Sequence, residues 1–228
     1  KLYDRYRDRY PDLPSDTYFN CSTVRPNELS INTTRVYDLD PTDAGDLTKA
    51  EILTRKQAWA VWRFLRDNIP GFAQSVIVET AAQVGVRESR RILGDHVLTA
   101  EHAYAHKESP DSVLTCRTQW DSHDKGKYDT RHAGGLVDVP YGVLLVKGLD
   151  NVLVVGRTAS CDHLMNSAFR NMEVSFQSGE VGGTAAGMAV KERLMPRKLP
   201  VTELQVELRK HGLLTSQADW RKAGRKLT

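Results

Sequence analysis

Hydrophobic positions along the chain change period several times, and each change predicts an element. Residues 1–45 are polar and turn-rich, with Pro11, Pro14, Pro26 and Pro41, and one short strand is expected at Thr33–Tyr37. Ile52, Ala58, Trp59, Trp62, Phe64 and Leu65 then recur at helical spacing, which predicts a long helix opened by Asp46 or Thr48 and ended by Pro70-Gly71. The tryptophan pair is read as core. Ser75–Glu79 (SVIVE) reads as a strand, and apolar residues alternate with charges through 81–93, as in an extended segment. Val97-Leu98-Thr99 predicts a strand leading to a short helix capped by Thr99. Residues 106–135 are the most irregular stretch.

β pattern returns at Leu136–Leu145 around Pro140-Tyr141-Gly142, and again as the pure apolar run Val152–Val155. A Gly/Ala-rich helix is expected from Met172 to Leu194, stopped by Pro196 and Pro200. A last helix follows at Val201–His211, with Thr202 near its cap. Helices and strands mix without regular βαβ alternation, so the expected class is α+β. Four stretches are expected: 1–45 as an irregular polar segment, 46–141 as a region with a mixed sheet, 142–195 as a strand and a Gly/Ala-rich helix, and 196–228 as a C-terminal helix with a basic tail.

Composition narrows the function classes. The 228 residues carry a net charge of +3, with Arg and Lys interleaved among Asp and Glu, which argues against a nucleic-acid partner. The basic ends, KLYDRYRDRYPD and RKAGRKLT, read as solvated surface. Cys21, Cys116 and Cys161 show no metal-ligand spacing, and an odd scattered set of thiols suggests a reducing compartment. No metal is expected: Asp121, His123, Asp124 and His132 fit no tight ligand template. No run reaches the ~18 apolar residues of a membrane span, and the start shows no signal-peptide core, so the expected location is the cytoplasm.

The chemistry concentrates at 142–190. A β run halts at Gly156-Arg157, a polar stretch follows, and a helix begins near Asn171. Strand, glycine turn and helix N-terminus make a site for an anionic or electron-rich ligand, because the first N–H groups of a helix are unpaired and its dipole end is positive. Within that helix Gly179, Gly182, Gly183 and Gly187 each lower helix propensity by up to about 1 kcal/mol relative to alanine. Close packing or a ligand has to offset that cost.

The string Gly156-Arg157, Ser160, His163, Ser167, Arg170-Asn171-Met172, Gly179 and Ala185-Ala186 resembles the C-terminal stretch of the FAD-dependent oxidoreductase flavoproteins, relatives of the succinate dehydrogenase and fumarate reductase flavoproteins. Two further blocks carry the same resemblance: Val84 to Ile92 with Gly94 and Leu98-Thr99, and Asp121-Ser122-His123 with Val137 to Gly142. The resemblance spans roughly residues 30–212 and maps to the family's C-terminal half.

It implies FAD as cofactor, contacted by Gly156, Arg157, Ser167, Arg170, Asn171 and Met172. It implies His123 or His163 as general base and Tyr141 as a group that orients a substrate hydroxyl. Arg87 and Arg90 are substrate-binding candidates, although the run Arg87, Glu88, Arg90, Arg91 equally suits an ion-pair network. The reaction implied is dehydrogenation of a small organic substrate.

Such proteins hold the ADP part of FAD with a GxGxxG βαβ unit, and no segment here matches that fingerprint. The dinucleotide-binding unit is therefore expected on a second polypeptide, or removed by processing. Glu180, Asp162 and Asn166 depart from the family pattern, so substrate identity is not carried over. The rival reading is a cofactor-free interaction subunit. A hydrolase or lyase using His123 with Asp121 is weaker, since no nucleophile elbow or triad spacing supports it.

Overall fold

The computed structural model describes residues 3–14, 20–121 and 132–226. Its class is α+β, and the chain divides into two compact units at Val86/Arg87.

In the first unit, strands β1 (Asn20–Ser22) and β2 (Leu29–Ile31) form an antiparallel pair. The residues expected as a strand at Thr33–Tyr37 follow this pair as irregular chain. The long helix α1 runs Ala44–Asn68, and Asp43 caps it by accepting a bond from the Asp46 N–H at 2.8 Å. Neither Asp46 nor Thr48 is the cap.

Ala60, Val61, Phe64 and Leu65 of α1 form a small core with Tyr10 and Leu13. Tyr6 and Tyr10 meet the Phe64 ring edge-on at 5.1 and 5.8 Å. The tryptophan pair does not join this core. Trp59 is 48% exposed, and half-buried Trp62 donates its indole N–H to the Ser75 carbonyl. Residues 75–79 form no strand, because among the described residues nothing pairs with them, and Val76 and Val78 face solvent.

The second unit holds the larger core. Its central element is an antiparallel pair, β3 (Ser112–Gln119) with β4 (His132–Pro140), in a register that sets Leu114 against Val139 and Cys116 against Val137. Helices α3 (His163–Phe169), α4 (Met172–Glu192) and α5 (Val201–Lys210) pack against β3. Phe169, Met165, Val181, Ala185, Leu204 and Leu208 close the core over Val113 and Val137. Helix α2 (Ala100–Tyr104), capped by Thr99 as expected, and α6 (Gln217–Lys222) complete the unit.

β3 lies inside the stretch read as irregular. Its Ser112, Thr115 and Thr118 look like loop chemistry, yet all three are buried and hydrogen-bonded. Ser112 Oγ donates to the Thr215 carbonyl at 2.6 Å, Thr118 Oγ1 donates to the Gly134 carbonyl at 2.9 Å, and Thr115 Oγ1 accepts from the Trp220 indole at 3.0 Å. Satisfied hydroxyls can sit in a core strand at little cost.

β4 stops at Pro140, and Tyr141–Val143 is a 3₁₀ turn rather than more strand. The apolar run at 152–155 is extended but bridged only once, Leu153 to Leu145, with the Val154 N–H donated to the Leu144 carbonyl. It has one neighbour among the described residues, where a strand inside a sheet has two. α4 ends at Glu192, two residues before the expected stop, with Arg193 in the left-handed conformation. Pro200, not Thr202, occupies the cap of α5.

Candidate functional site

The site begins where the extended run ends. Gly156 has φ +70°, a conformation that favours glycine, and it turns the chain into a 3₁₀ turn, Gly156–Thr158. Its N–H donates to Ser178 Oγ on α4 at 2.9 Å, and a Cβ placed on Gly156 would approach Ser175 Oγ at 4.0 Å. The turn therefore lies against the first turns of α4. Asn166, fully buried on α3, secures it from below by donating Nδ2 to the Arg157 carbonyl at 2.9 Å. The Oδ1 of the same side chain is buried and makes no hydrogen bond.

Two helix starts flank this turn. Asp162 is the N-cap of α3: one carboxylate oxygen accepts from the Met165 N–H at 2.7 Å, the other from the Ala100 N–H of α2 at 2.8 Å. One side chain thus satisfies the start of two helices. The start of α4 has no such partner. Asn171 is its N-cap residue with extended backbone, and its side chain makes no capping bond. The N–H groups of the first turn of α4 have no intrahelical acceptor, and the helix dipole adds positive potential there.

Charged side chains form two clusters nearby. Arg170, at the C-cap of α3 and nearly buried, donates Nη2 to the Asp121 carbonyl at 2.7 Å and to its carboxylate at 3.0 Å. Arg87 reaches the same carboxylate at 2.6 Å. Asp121 therefore ties a cofactor-binding candidate to a substrate-binding candidate. In the second cluster, His163 at the first position of α3 meets Glu88 Oε2 through Nδ1 at 2.7 Å, and Glu88 Oε1 is bonded to Arg91. Within the 87–91 run, Arg87 and Glu88–Arg91 are thus engaged in ion pairs.

The remaining candidates differ in burial. Ser167 is buried and back-bonded to the Leu164 carbonyl at 2.7 Å. Tyr141 is buried beneath β4, donates its hydroxyl to the Pro196 carbonyl at 3.1 Å, and has its pKa pushed up to about 12 by burial. Arg90 and Arg157 have exposed side chains, and Met172 is 74% exposed at the start of α4. His123 lies outside the described residues. Glu88, Asp121, Asp162 and Asn166 hold these groups in place; the sequence marked Glu88 by alternating charge at 87–91, Asp121 by the Asp121-Ser122-His123 block, and Asp162 and Asn166 by departure from the family pattern.

Nucleophilic thiol chemistry does not suit this region. Cys161 and Cys116 are buried and free, and burial raises both pKa values, that of Cys161 to about 11. Among the described residues no group of three or more His, Cys, Asp or Glu side chains could hold a metal, and no helix is long and apolar enough to cross a membrane.

Along α4 one face is buried and another is bare. Gly182 is needed by packing, since a Cβ there would lie 2.6 Å from Val155 Cγ1. Gly179, Gly183 and Gly187 have nothing within 4 Å of that position. Between this stripe and the 151–155 run lies a groove of about 320 Å³, lined by Leu153, Val155, Gly179, Gly182, Gly183 and Ala186 among others.

The glycine turn and the helix start without a side-chain cap lie together in this unit, the kind of place that can receive an anionic or electron-rich group. The comparison with known families is more specific. The family model of the FAD dependent oxidoreductases matches residues 3–208, and the chain belongs to that family. FAD is thereby its cofactor. No curated protein and no solved structure gives a match. The site is consistent with FAD in two respects: Gly156 lets a ligand approach the backbone closely, and the uncapped start of α4 offers donors to an electron-rich edge.

Proposed function

We propose that this chain supplies the substrate-facing and C-terminal flavin-contacting part of an FAD-dependent dehydrogenase, akin to the C-terminal half of the succinate dehydrogenase and fumarate reductase flavoproteins. The reaction is removal of hydrogen from a C–H bond of a small organic substrate, at a carbinol or beside a carbonyl. FAD supplies the hydride acceptor. The single observation that carries the reading is the Gly156 turn set against the uncapped start of α4 in a chain of this family.

In this reading Gly156 and Arg157 lie along the phosphate and ribityl part of FAD, while the Asn171 side chain, the Met172 N–H and Arg170 face the pyrimidine edge; the Asn171 N–H is itself donated to the Ala168 carbonyl. Arg170 is held for that role by Asp121. His163 takes a proton from the substrate, and its position at the head of α3 brings it just past the Gly156 turn. Arg87 and Arg90 supply positive charge for an acidic substrate, Arg87 being partly neutralised by Asp121.

The GxGxxG unit belongs to another polypeptide or to a segment separated from this one, and the assembly works in the cytoplasm. The once-bridged 151–155 run, the groove beside it and the open glycine stripe of α4 support that reading, because a strand and a helix of the dinucleotide-binding unit would fit there. The test is to purify the native assembly without a tag on either partner and record its visible absorbance with intact masses of every polypeptide. A flavin double band with a GxGxxG-bearing sequence is expected. A colourless sample that also fails to take up added FAD would overturn the proposal and favour a cofactor-free interaction subunit.

A further inference from the structure

We infer that Glu88 is a positioning residue for His163, fixing which ring nitrogen is available to take a proton; this rests on the reading of His163 as general base. The two oxygens of the Glu88 carboxylate have separate partners. Oε1 is bonded to Arg91 Nη1, and Oε2 lies 2.7 Å from His163 Nδ1. Arg91 is anchored three residues along the same segment and is mostly covered, so it holds the carboxylate in one orientation.

A neutral imidazole carries its proton on one nitrogen only, and the hydrogen bond made by one nitrogen decides the chemistry of the other. A carboxylate can only accept, so at 2.7 Å it requires Nδ1–H. Nε2 then carries the lone pair. When Nε2 takes a proton the ring becomes cationic, and Glu88 is its counter-ion.

Geometry makes the arrangement rigid on the histidine side as well. His163 is the first residue of α3, directly after Asp162, whose carboxylate is bonded to α3 at Met165 and to α2 at Ala100. The histidine backbone is therefore pinned, and Glu88 fixes the ring. The other charged groups of the 87–91 run do not compete for this carboxylate: Arg87 is paired with Asp121, and Arg90 is exposed.

The test is imidazole nitrogen NMR on histidine-labelled holoprotein, at a pH where the rings are neutral, with the His163 signals assigned from His163→Asn. The expected result is the Nδ1–H form for His163 in the unaltered protein. In Glu88→Ala it should revert to mainly Nε2–H, the form a ring in water prefers, while Arg91→Met should retain the Nδ1–H form because the carboxylate stays. An Nε2–H ring in the unaltered protein overturns the inference without any variant, so a Glu88→Ala protein that fails to fold does not block the decision. An unchanged tautomer in folded Glu88→Ala overturns it too.

A second readout separates positioning from catalysis: anaerobic bleaching of the bound flavin by a panel of 2-hydroxy acids and secondary alcohols. Glu88→Ala should slow it by about 10–100-fold, less than the roughly 10²–10⁴-fold contributed by a general base itself, as befits a residue that acts through His163. If the tautomer shifts and bleaching does not slow, the positioning role holds and the base role of His163 falls. If no compound bleaches the unaltered holoprotein, the proposed reaction fails while the tautomer result still decides the role of Glu88.

Discussion

Two helix starts nine positions apart are treated in opposite ways. At Asp162 the α3 start is closed by a carboxylate that also closes α2, and the neighbouring side chains Met165, Asn166, Ala168 and Phe169 are buried. At Asn171 the α4 start is left without a side-chain cap, and Met172 and Phe176 beside it are each 74% exposed. Both positions hold residue types that cap helices well, so local propensity does not explain the difference. The closed start is a structural joint. The open one leaves the donors of its first turn without a side-chain acceptor.

The largest expected effect falls on the closed start. Asp162→Ala removes the cap of α3 and the acceptor of α2, at about 1–2 kcal/mol for each helix start; urea unfolding should give a loss of about 2–4 kcal/mol with the m-value retained. A loss below about 1 kcal/mol would mean the two starts are not joined through this side chain.

Asp219 provides a pH-dependent comparison in the same unit. Burial opposes its charge, but bonds from Arg209 and Thr215 outweigh that and hold its pKa below the usual carboxylate value. Its contribution is present above the unfolded pKa and is lost as pH falls through the lower folded one. Asp219→Asn should therefore cost about 2 kcal/mol near neutral pH. That penalty should shrink in unfolding measured at about pH 3, below the ordinary aspartate value of about 3.9.

The α4 glycines sharpen the contrast between covered and open surface. Gly182→Ala drives a methyl to 2.6 Å from Val155 Cγ1 and should destabilise by about 1–3 kcal/mol, with partial rescue by Val155→Ala. Gly183→Ala meets nothing within 4 Å and should stabilise the isolated chain by about 0.5–1 kcal/mol in thermal unfolding. If a dinucleotide-binding unit packs on this stripe, the same substitution should lower FAD retained through purification. Smallest of all, Asn171→Ala should change unfolding free energy by less than about 0.5 kcal/mol, because there is no capping bond to lose.

Sequence reading succeeded where one physical signal dominated. The 3.6-residue period placed α1, α4 and α5, and Thr99 announced α2. It failed at β3, where buried hydroxyls resemble a loop until their partners Thr215, Gly134 and Trp220 are known. It also failed at 75–79 and 152–155, where β-rich composition promises strands but pairing needs a neighbour. At the site, Gly156 and Asn171 were legible from the strand–turn–helix order. Asp162 and Glu88 were not assigned, since a double cap and a histidine orienter depend on contacts across 62 and 75 positions of chain, which no local pattern encodes.

The most direct test of the open helix start is Asn171→Asp. A carboxylate at the N-cap can satisfy the free donors and favour the dipole, so folding stability should hold or rise slightly. The same charge would face an electron-rich flavin edge, so FAD should be held at least about tenfold more weakly, equivalent to about 1.4 kcal/mol, measured by flavin released from the native assembly on dilution. Equal stability with unchanged FAD affinity would show that the start of α4 does not contact the cofactor, and the proposed flavin site would fall.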